Sequence, residues 1–410
     1  MKPGDLDLAN PDSFETGQPY DYFRVLREQA PVHWNPPNGQ DSGLGPMLEG
    51  FFVVSRYTDV IDVSRTPKIF SSAVGTVFLP DHTPEQLASF RLMLINMDPP
   101  EHVRYRRLIQ RGFTPKMVKQ LEPRIRKHAT RVVDGVAKQG ECDFVEGLAA
   151  VLPLILICEL AGFPEEDRHK IFKWSNQMIG GEDPEMSNKE TQQAAAASAF
   201  LYAQELAARK RKEPDDTLIS KYIHGEIEGR TVGEAEIASF VTLLLAAGSE
   251  TTRTATSHGM WLLCQHPDQY DLLRSDVDRY LPGAIEEILR YHPPILLMRR
   301  TATQDTEIRG VPIAKGQKVA TYYGSANRDE EFFTDPDRFD ITRAPNPHLT
   351  FGIGEHFCLG ASLARMQLNC IFREILTRLP DMQISEPPRL QRSSLADGIK
   401  EMRVRFTPEA

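Results

Sequence analysis

Cys358 lies in "HLTFGIGEHFCLGASLAR" (348–365), among glycines and just ahead of an apolar helical pattern. A thiolate can act as nucleophile, zinc ligand or haem-iron ligand. Nucleophilic use calls for a base, and His356 is two residues away. The commonest fate of a cysteine is plain burial in a core. A core cysteine has no use for Gly352, Gly354 and Gly360, which let backbone bend around a flat object and leave amide N–H groups free for sulfur. The helical pattern from Leu359 onward predicts Cys358 at a helix N-terminus, where partial positive charge favours a thiolate. Thiolate, amide donors and a planar partner together suit an axial haem ligand.

"FGIGEHFCLG" (351–360) resembles, at each defining position, the haem-binding loop FxxGxxxCxG of the cytochrome P450 monooxygenases. The resemblance implies haem b with Cys358 as its axial ligand, O2 as co-substrate, and Phe351, Gly352, His356, Leu359 and Gly360 against the cofactor. A second motif, "LLLAAGSETTRTA" (243–255), sits inside a long apolar helical stretch. Alcohols in such a helix usually bond back to the preceding turn. Glycine beside hydroxyl residues is also a cause of local helix distortion, so an opening beside the iron is expected here. Ala247–Thr252 is similar to the family's oxygen-activating pattern (A/G)Gx(D/E)T(T/S). That likeness assigns Ala247 and Gly248 to the cofactor wall and proton delivery to Thr251 and Glu250.

In "EEILR" (286–290), Glu287 and Arg290 share a helix face, and local sequence alone favours an exposed ion pair of small value. The family's ExxR pair instead belongs to a structural charge network, with Arg338 or Arg343 of "FFTDPDRFDITR" (332–343) as its third member. "DPPEHVRYRRLIQRGFTP" (98–115) places His102 and Arg106 at i,i+4. A basic helix face is more often merely solvated, but haem propionates need such partners. Resemblance assigns His102 and Arg106 to them, with His356 and one Arg of "MRRT"; Arg300 is preferred over Arg299.

The elements that must position these residues read as mainly α with a small β portion. Apolar spacing of three to four predicts helices over 116–137, 189–209, 234–264 and 359–379. Strand signals concentrate at "FFVVSRY" (51–57) and in 306–324, where Gly-containing turns split short β-rich runs. At 410 residues the chain exceeds the size at which one core stops growing, so two lobes are expected. The resemblance makes them parts of one catalytic domain over 1–410. A net charge of −9 argues against nucleic acid, and the absence of long apolar runs or a signal-peptide pattern leads to the expectation of a cytoplasmic protein without a membrane segment. Five scattered cysteines with no CxxC pair exclude a disulfide framework or zinc site.

By family resemblance the pocket is lined from "SSAVGTVFLP" (71–80), "FVTLLLAAG" (240–248) and "PPILLM" (293–298), none of which carries a charge. That favours a bulky apolar substrate. The expected lining residues are Val77, Phe78, Met178, Phe240, Leu244, Ala247, Ile295, Leu296 and Leu395. "WSNQMIGGEDPE" (174–185) and "SANRDEEFFTDP" (325–336) resemble the bacterial P450s that attack sterol side chains and methyl-branched lipids. The implied reaction is hydroxylation of a cholest-4-en-3-one-type side chain, with a terpenoid or branched fatty acid as the alternative. "SSLADGIK" (393–400) and "FLPDHTPEQLASF" (78–90) depart from that group. No GxGxxG follows a strand, so electrons are expected from a ferredoxin and its reductase. A basic patch around Arg104, Arg107 and Arg111, with Lys116 and Lys119 beyond it, suits docking of an acidic donor. A peroxide-driven haem enzyme, a haem-binding sensor and a Cys/His hydrolase are the rival readings.

Overall fold

A computed structural model describes residues 1–41 and 45–410. Its longer helices are α1 (Tyr20–Gln29), α2 (Tyr57–Arg65), α3 (Glu101–Ile109), α4 (Pro115–Asp134), α5 (Val151–Ala161) and α6 (Arg168–Ile179). The series continues with α7 (Lys189–Lys212), α8 (Glu234–Gln265), α9 (Pro267–Ser275), α10 (Val277–Tyr291) and α11 (Ala361–Arg378). Periodicity located four of these to within a few residues. Where they start has local causes. Thr114 Oγ1 caps α4 ahead of Pro115, and Asn188 caps α7 through a reciprocal bond with Thr191. Helix α8 is buried on nearly every side, the property of a helix packed all round. It contacts α5, α6, α7, α10 and α11.

The main sheet holds β1 (Val32–Asn35), β2 (Phe51–Val54), β3 (Phe70–Ser71), β4 (Leu297–Ala302) and β5 (Lys318–Tyr322) in the order β1-β2-β5-β4-β3. Strand β2 pairs antiparallel with β1 and parallel with β5, from Phe51↔Lys318 to Val54↔Thr321. Every side chain of "FFVV" is buried, as a strand covered on both faces requires.

One strand expectation needs correction and the other holds. The strand signal at 51–57 stops at Val54, and α2 begins at Tyr57, whose N–H donates to Asp329 Oδ2 (2.8 Å). That cap comes from a residue 272 positions away and is invisible locally. The 306–324 region is a hairpin, Thr306–Ile308 with Val311–Ile313, followed by β5 and then a helical turn, Tyr323–Ala326. Its turn residues Arg309 and Gly310 both have positive φ (51° and 74°).

Candidate active site

The loop around Cys358 is closed by its own backbone: Cys358 N–H donates to Phe351 O (2.8 Å). Gly352 and Gly354 have φ of 68° and 75°, which explains their residue type. Helix α11 starts at Ala361 with Gly360 as N-cap, so Cys358 lies ahead of the helix and the start expected at Leu359 is two residues early. The first amides still serve the sulfur. Burial pushes the Cys358 thiol up, while the Gly360 amide, the Arg106 and Arg365 guanidinium groups and the Ala361 amide act to bring it down. Cys358 nevertheless keeps exposed surface, as a ligand to an incoming group must. Phe351 lies under the Arg365 guanidinium (4.4 Å), and Leu359 packs between two core clusters.

Along α8, Leu243, Ala247 and Thr251 retain free surface at i, i+4, i+8 in a helix otherwise largely buried. That spacing is one face of a helix. Thr251 Oγ1 donates to Ala247 O (3.2 Å). The helix runs unbroken through this point, so the expected opening is absent and the back-bond stands in its place. Gly248 also has another purpose than the one expected. A Cβ there would come within 2.4 Å of Ile157 Cγ1, so glycine lets α5 and α8 approach. Glu250 is buried and held by Arg253 (2.5 Å), which also donates to Asn176 Oδ1 (2.8 Å). Sequence reasoning passed over Arg253, although its i,i+3 spacing from Glu250 was the available signal.

Four basic groups converge near the Cys loop. The His102 and His356 rings lie 4.1 Å apart, Arg106 donates to Phe357 O (2.6 Å), and Arg300 donates to Arg299 O (2.8 Å). Arg300 and His102 are buried, and His102 Nδ1 has no hydrogen-bond partner. Burial, then the charge of Arg106, brings the His102 pKa down to about 4. Burial with Arg300, His102 and Arg106 drives His356 well below its usual range. Among the described residues neither Arg106 nor Arg300 has an ion-pair partner. The two imidazoles are held neutral, so the charge of the cluster is that of Arg106 and Arg300. Asp98 acts on Arg300 and His102 without pairing with Arg300. Two arginines without an ion pair fit a ligand that brings its own carboxylates, as haem does with its propionates. Arg299 is otherwise engaged, donating to the carbonyls of Phe78, Leu79 and Pro80 (3.1–3.3 Å).

Behind the loop, Glu287 and Arg290 are fully buried and bonded twice at 2.8 Å. Arg343 Nε (3.2 Å), Asn346 Nδ2 (3.0 Å) and Asp340 N (3.0 Å) complete the carboxylate's partners. The exposed pair favoured by local sequence is thus a core network, and Arg343 is its third charged member. Arg338 contributes only its carbonyl, to Arg290 and to Arg343.

The expected pocket residues divide. Phe78, Met178, Ile295 and Leu395 keep free surface. Phe240 stacks on Tyr222 (ring centroids 4.1 Å) inside a core cluster that also takes in Leu244. Leu296 lies in the core beside Leu297 and Leu79. Val77 is buried and bonded through both backbone groups, to Asn96 Oδ1 and from Arg299 N. These four face packed protein: Phe240 and Leu244, at i,i+4, share a buried face of α8, and Val77 and Leu296 point into the core from extended segments.

A Cys loop ahead of a helix, a long alcohol-bearing helix and a small mixed sheet define a haem-thiolate oxygenase architecture. Residues 171–391 match the cytochrome P450 family, and the chain belongs to it. It is a cytochrome P450 monooxygenase, and the α8 face and the Cys358 loop are the elements that would hold the family's haem. A steroid C26-monooxygenase of Rhodococcus jostii is 41% identical over 408 residues, covering 98% of this chain and 85% of that protein. A methyl-branched lipid omega-hydroxylase of Mycobacterium tuberculosis is 40% identical, covering 94% and 90%. A Mycobacterium marinum cytochrome P450 solved in complex with pseudoionone superposes with a TM-score of 0.92 at 35% identity, covering 99% of both chains. Among the described residues no helix is long and apolar enough to cross a membrane.

Proposed function

We propose that this P450 hydroxylates an unactivated C–H bond in the side chain of a sterol of the cholest-4-en-3-one type. The observation that carries this reading is the 41% identity, over nearly the whole chain, to a protein named a steroid C26-monooxygenase. The expected pocket residues that keep free surface, Phe78, Met178, Ala247, Ile295 and Leu395, carry no charge, as an apolar substrate requires. A methyl-branched lipid is the second reading, favoured by the relative of that name.

Haem b, when bound through Cys358, supplies O2 activation at its iron. His102, Arg106, Arg300 and His356 would hold its propionates. The chain's remaining task is to orient one carbon and control protons. The apolar wall excludes water and holds the substrate, an orientation effect. Thr251 Oγ1 exchanges its bond to the Ala247 carbonyl for proton delivery at the cofactor face, and Glu250 is the carboxylate next in line. Electrons come from a ferredoxin and its reductase. Arg107 and Arg111 are the docking cations, being exposed and without ion pairs among the described residues. Arg104 is already neutralised by Glu101 (2.5 Å) and Glu228 (2.6 Å). Optical titration of the ferric holoprotein tests the substrate. A tight high-spin shift with cholest-4-en-3-one, and none with a methyl-branched fatty acid or a monoterpenol, is expected. A shift with the fatty acid alone transfers the assignment to the second reading.

A further inference from the structure

The segment 392–397 is a short strap built mostly from small residues, laid against residues 294–296 and fastened at both ends by acidic side chains. At one end is Glu182, in the turn that follows α6. Its carboxylate accepts from Ser393 Oγ (2.9 Å), Ser394 N (2.6 Å) and Ser394 Oγ (2.8 Å). Its carbonyl takes the Arg392 guanidinium (2.5 Å), and the neighbouring Asp183 takes Arg392 N (3.0 Å). At the other end is Asp397, itself buried. Its Oδ2 accepts from Gln18 Nε2 (2.7 Å) and His292 Nδ1 (2.9 Å), and its carbonyl accepts from His258 Nε2 (2.6 Å), a residue of α8. Between the anchors, Leu296 N donates to Leu395 O (2.9 Å) and Ile295 bridges Ala396. In the run 393–399, Leu395 alone is not buried.

A strap of Ser, Ser, Leu, Ala and Asp has little apolar surface with which to hold itself, so its place depends on these polar anchors. One anchor ties it to the connection between α6 and α7, near Met178. The other ties it to the helix that carries Thr251. We propose that Glu182 and Asp397 are positioning residues that fix Leu395 beside Ile295 and so select which carbon of the substrate is hydroxylated. The inference rests on the pocket reading above.

The test uses the full-length, haem-loaded protein with cholest-4-en-3-one and, in parallel, a methyl-branched fatty acid. Variants are Leu395→Ala, Glu182→Leu, Glu182→Gln, Asp397→Ala and Ser394→Ala, each first checked for an unaltered carbon monoxide difference spectrum. Glu182→Leu and Asp397→Ala raise KM about tenfold, leave kcat much less changed, and move the ratio of terminal to internal hydroxylation as Leu395→Ala does, because ångström-scale misplacement is enough. Glu182→Gln restores the ratio, since its amide oxygen accepts from Ser393 and Ser394 N–H while its NH2 donates to Ser394 Oγ. Should Glu182→Leu fail to load haem, Ser394→Ala and Asp397→Ala decide alone. An unchanged ratio in the anchor variants, with a changed one in Leu395→Ala, overturns the anchoring and leaves the pocket standing. An unchanged ratio and KM in Leu395→Ala as well removes the pocket reading, and this inference with it.

Discussion

Replacing Glu287 with Gln leaves the volume of the side chain unchanged and removes one charge from a site with no access to water. Glu287 and Arg290 have fully buried side chains, and Arg343 is nearly so, at 10% exposure. The charged carboxylate balances two guanidinium groups and also accepts from Asn346 and the Asp340 amide. In the Glu287→Gln variant one acceptor becomes an NH2 facing donors, and two buried cations lose their counter-charge. Breaking a buried pair in this way costs about 3–5 kcal/mol. With unfolding entropy of roughly 2.1 cal/mol/K per residue, 410 residues give about 0.9 kcal/mol/K, so Tm falls by about 3–6 °C. The adjacent Glu286 supplies the control. Its pair with Arg365 (2.6 Å) is 29% and 36% exposed and so partly screened by water, and Glu286→Gln costs about 1–2 kcal/mol, or about 1–2 °C. Thermal circular dichroism of the holoproteins, with haem content measured beside it, separates the two. Equal Tm shifts for the neighbouring glutamates would refute the reasoning, because Glu287 is the more deeply buried of the two and the only one that balances two guanidinium groups.

Cys358→Ser abolishes the thiolate-type carbon monoxide band in the reduced difference spectrum, and its survival would show another ligand. Thr251→Ala leaves haem and substrate binding intact but lowers product formation about 10²-fold while reducing equivalents leave as peroxide, measured as product per NADH consumed. Arg107→Gln with Arg111→Gln slows reduction by a ferredoxin up to about tenfold and flattens its salt dependence, whereas Arg104→Gln does neither, because its charge is already compensated. Burial raises the Glu286 carboxyl pKa, but Arg365 and His348 outweigh it and hold the group at about 2. Its folded pKa lies below the unfolded one, so its stabilisation is complete above about pH 4.5 and is lost as pH falls toward 2. Tm between pH 5 and pH 3 therefore drops less steeply in Glu286→Gln than in the parent.

Helices with a sustained apolar stripe were legible because burial and period coincide in them. The strand "LMRRTA" was not, since two arginines read as surface. Arg299 is buried because three carbonyls of residues 78–80 receive it, and no window of sequence contains both partners. The same applies to Glu287, whose value rests on Arg343 and Asn346, more than fifty residues on. Resemblance to the family's motifs brought His102, Arg106, Arg300 and His356 to one place, but periodicity could not separate lining from core. Phe240 and Ile295 are equally apolar in sequence and differ only in which neighbour their side of the element meets. Gly248 belongs to the motif, yet its contact with Ile157 is a matter of interhelical distance, which spacing does not encode.

The pairing of β2 with β5 sets the order in which the molecule can be completed. Phe51 lies 267 residues before its partner Lys318, a separation that a ribosome covers in roughly 13–50 s at 5–20 residues per second. For that interval "FFVV" has only the β1 hairpin for company and exposes an apolar edge. Helices such as α4 and α8 close on local contacts far sooner. During synthesis the helical part can consolidate first, while an early strand waits unprotected for a late one. The sheet thus carries a kinetic burden that the helices do not, written into the distance along the chain between two paired strands.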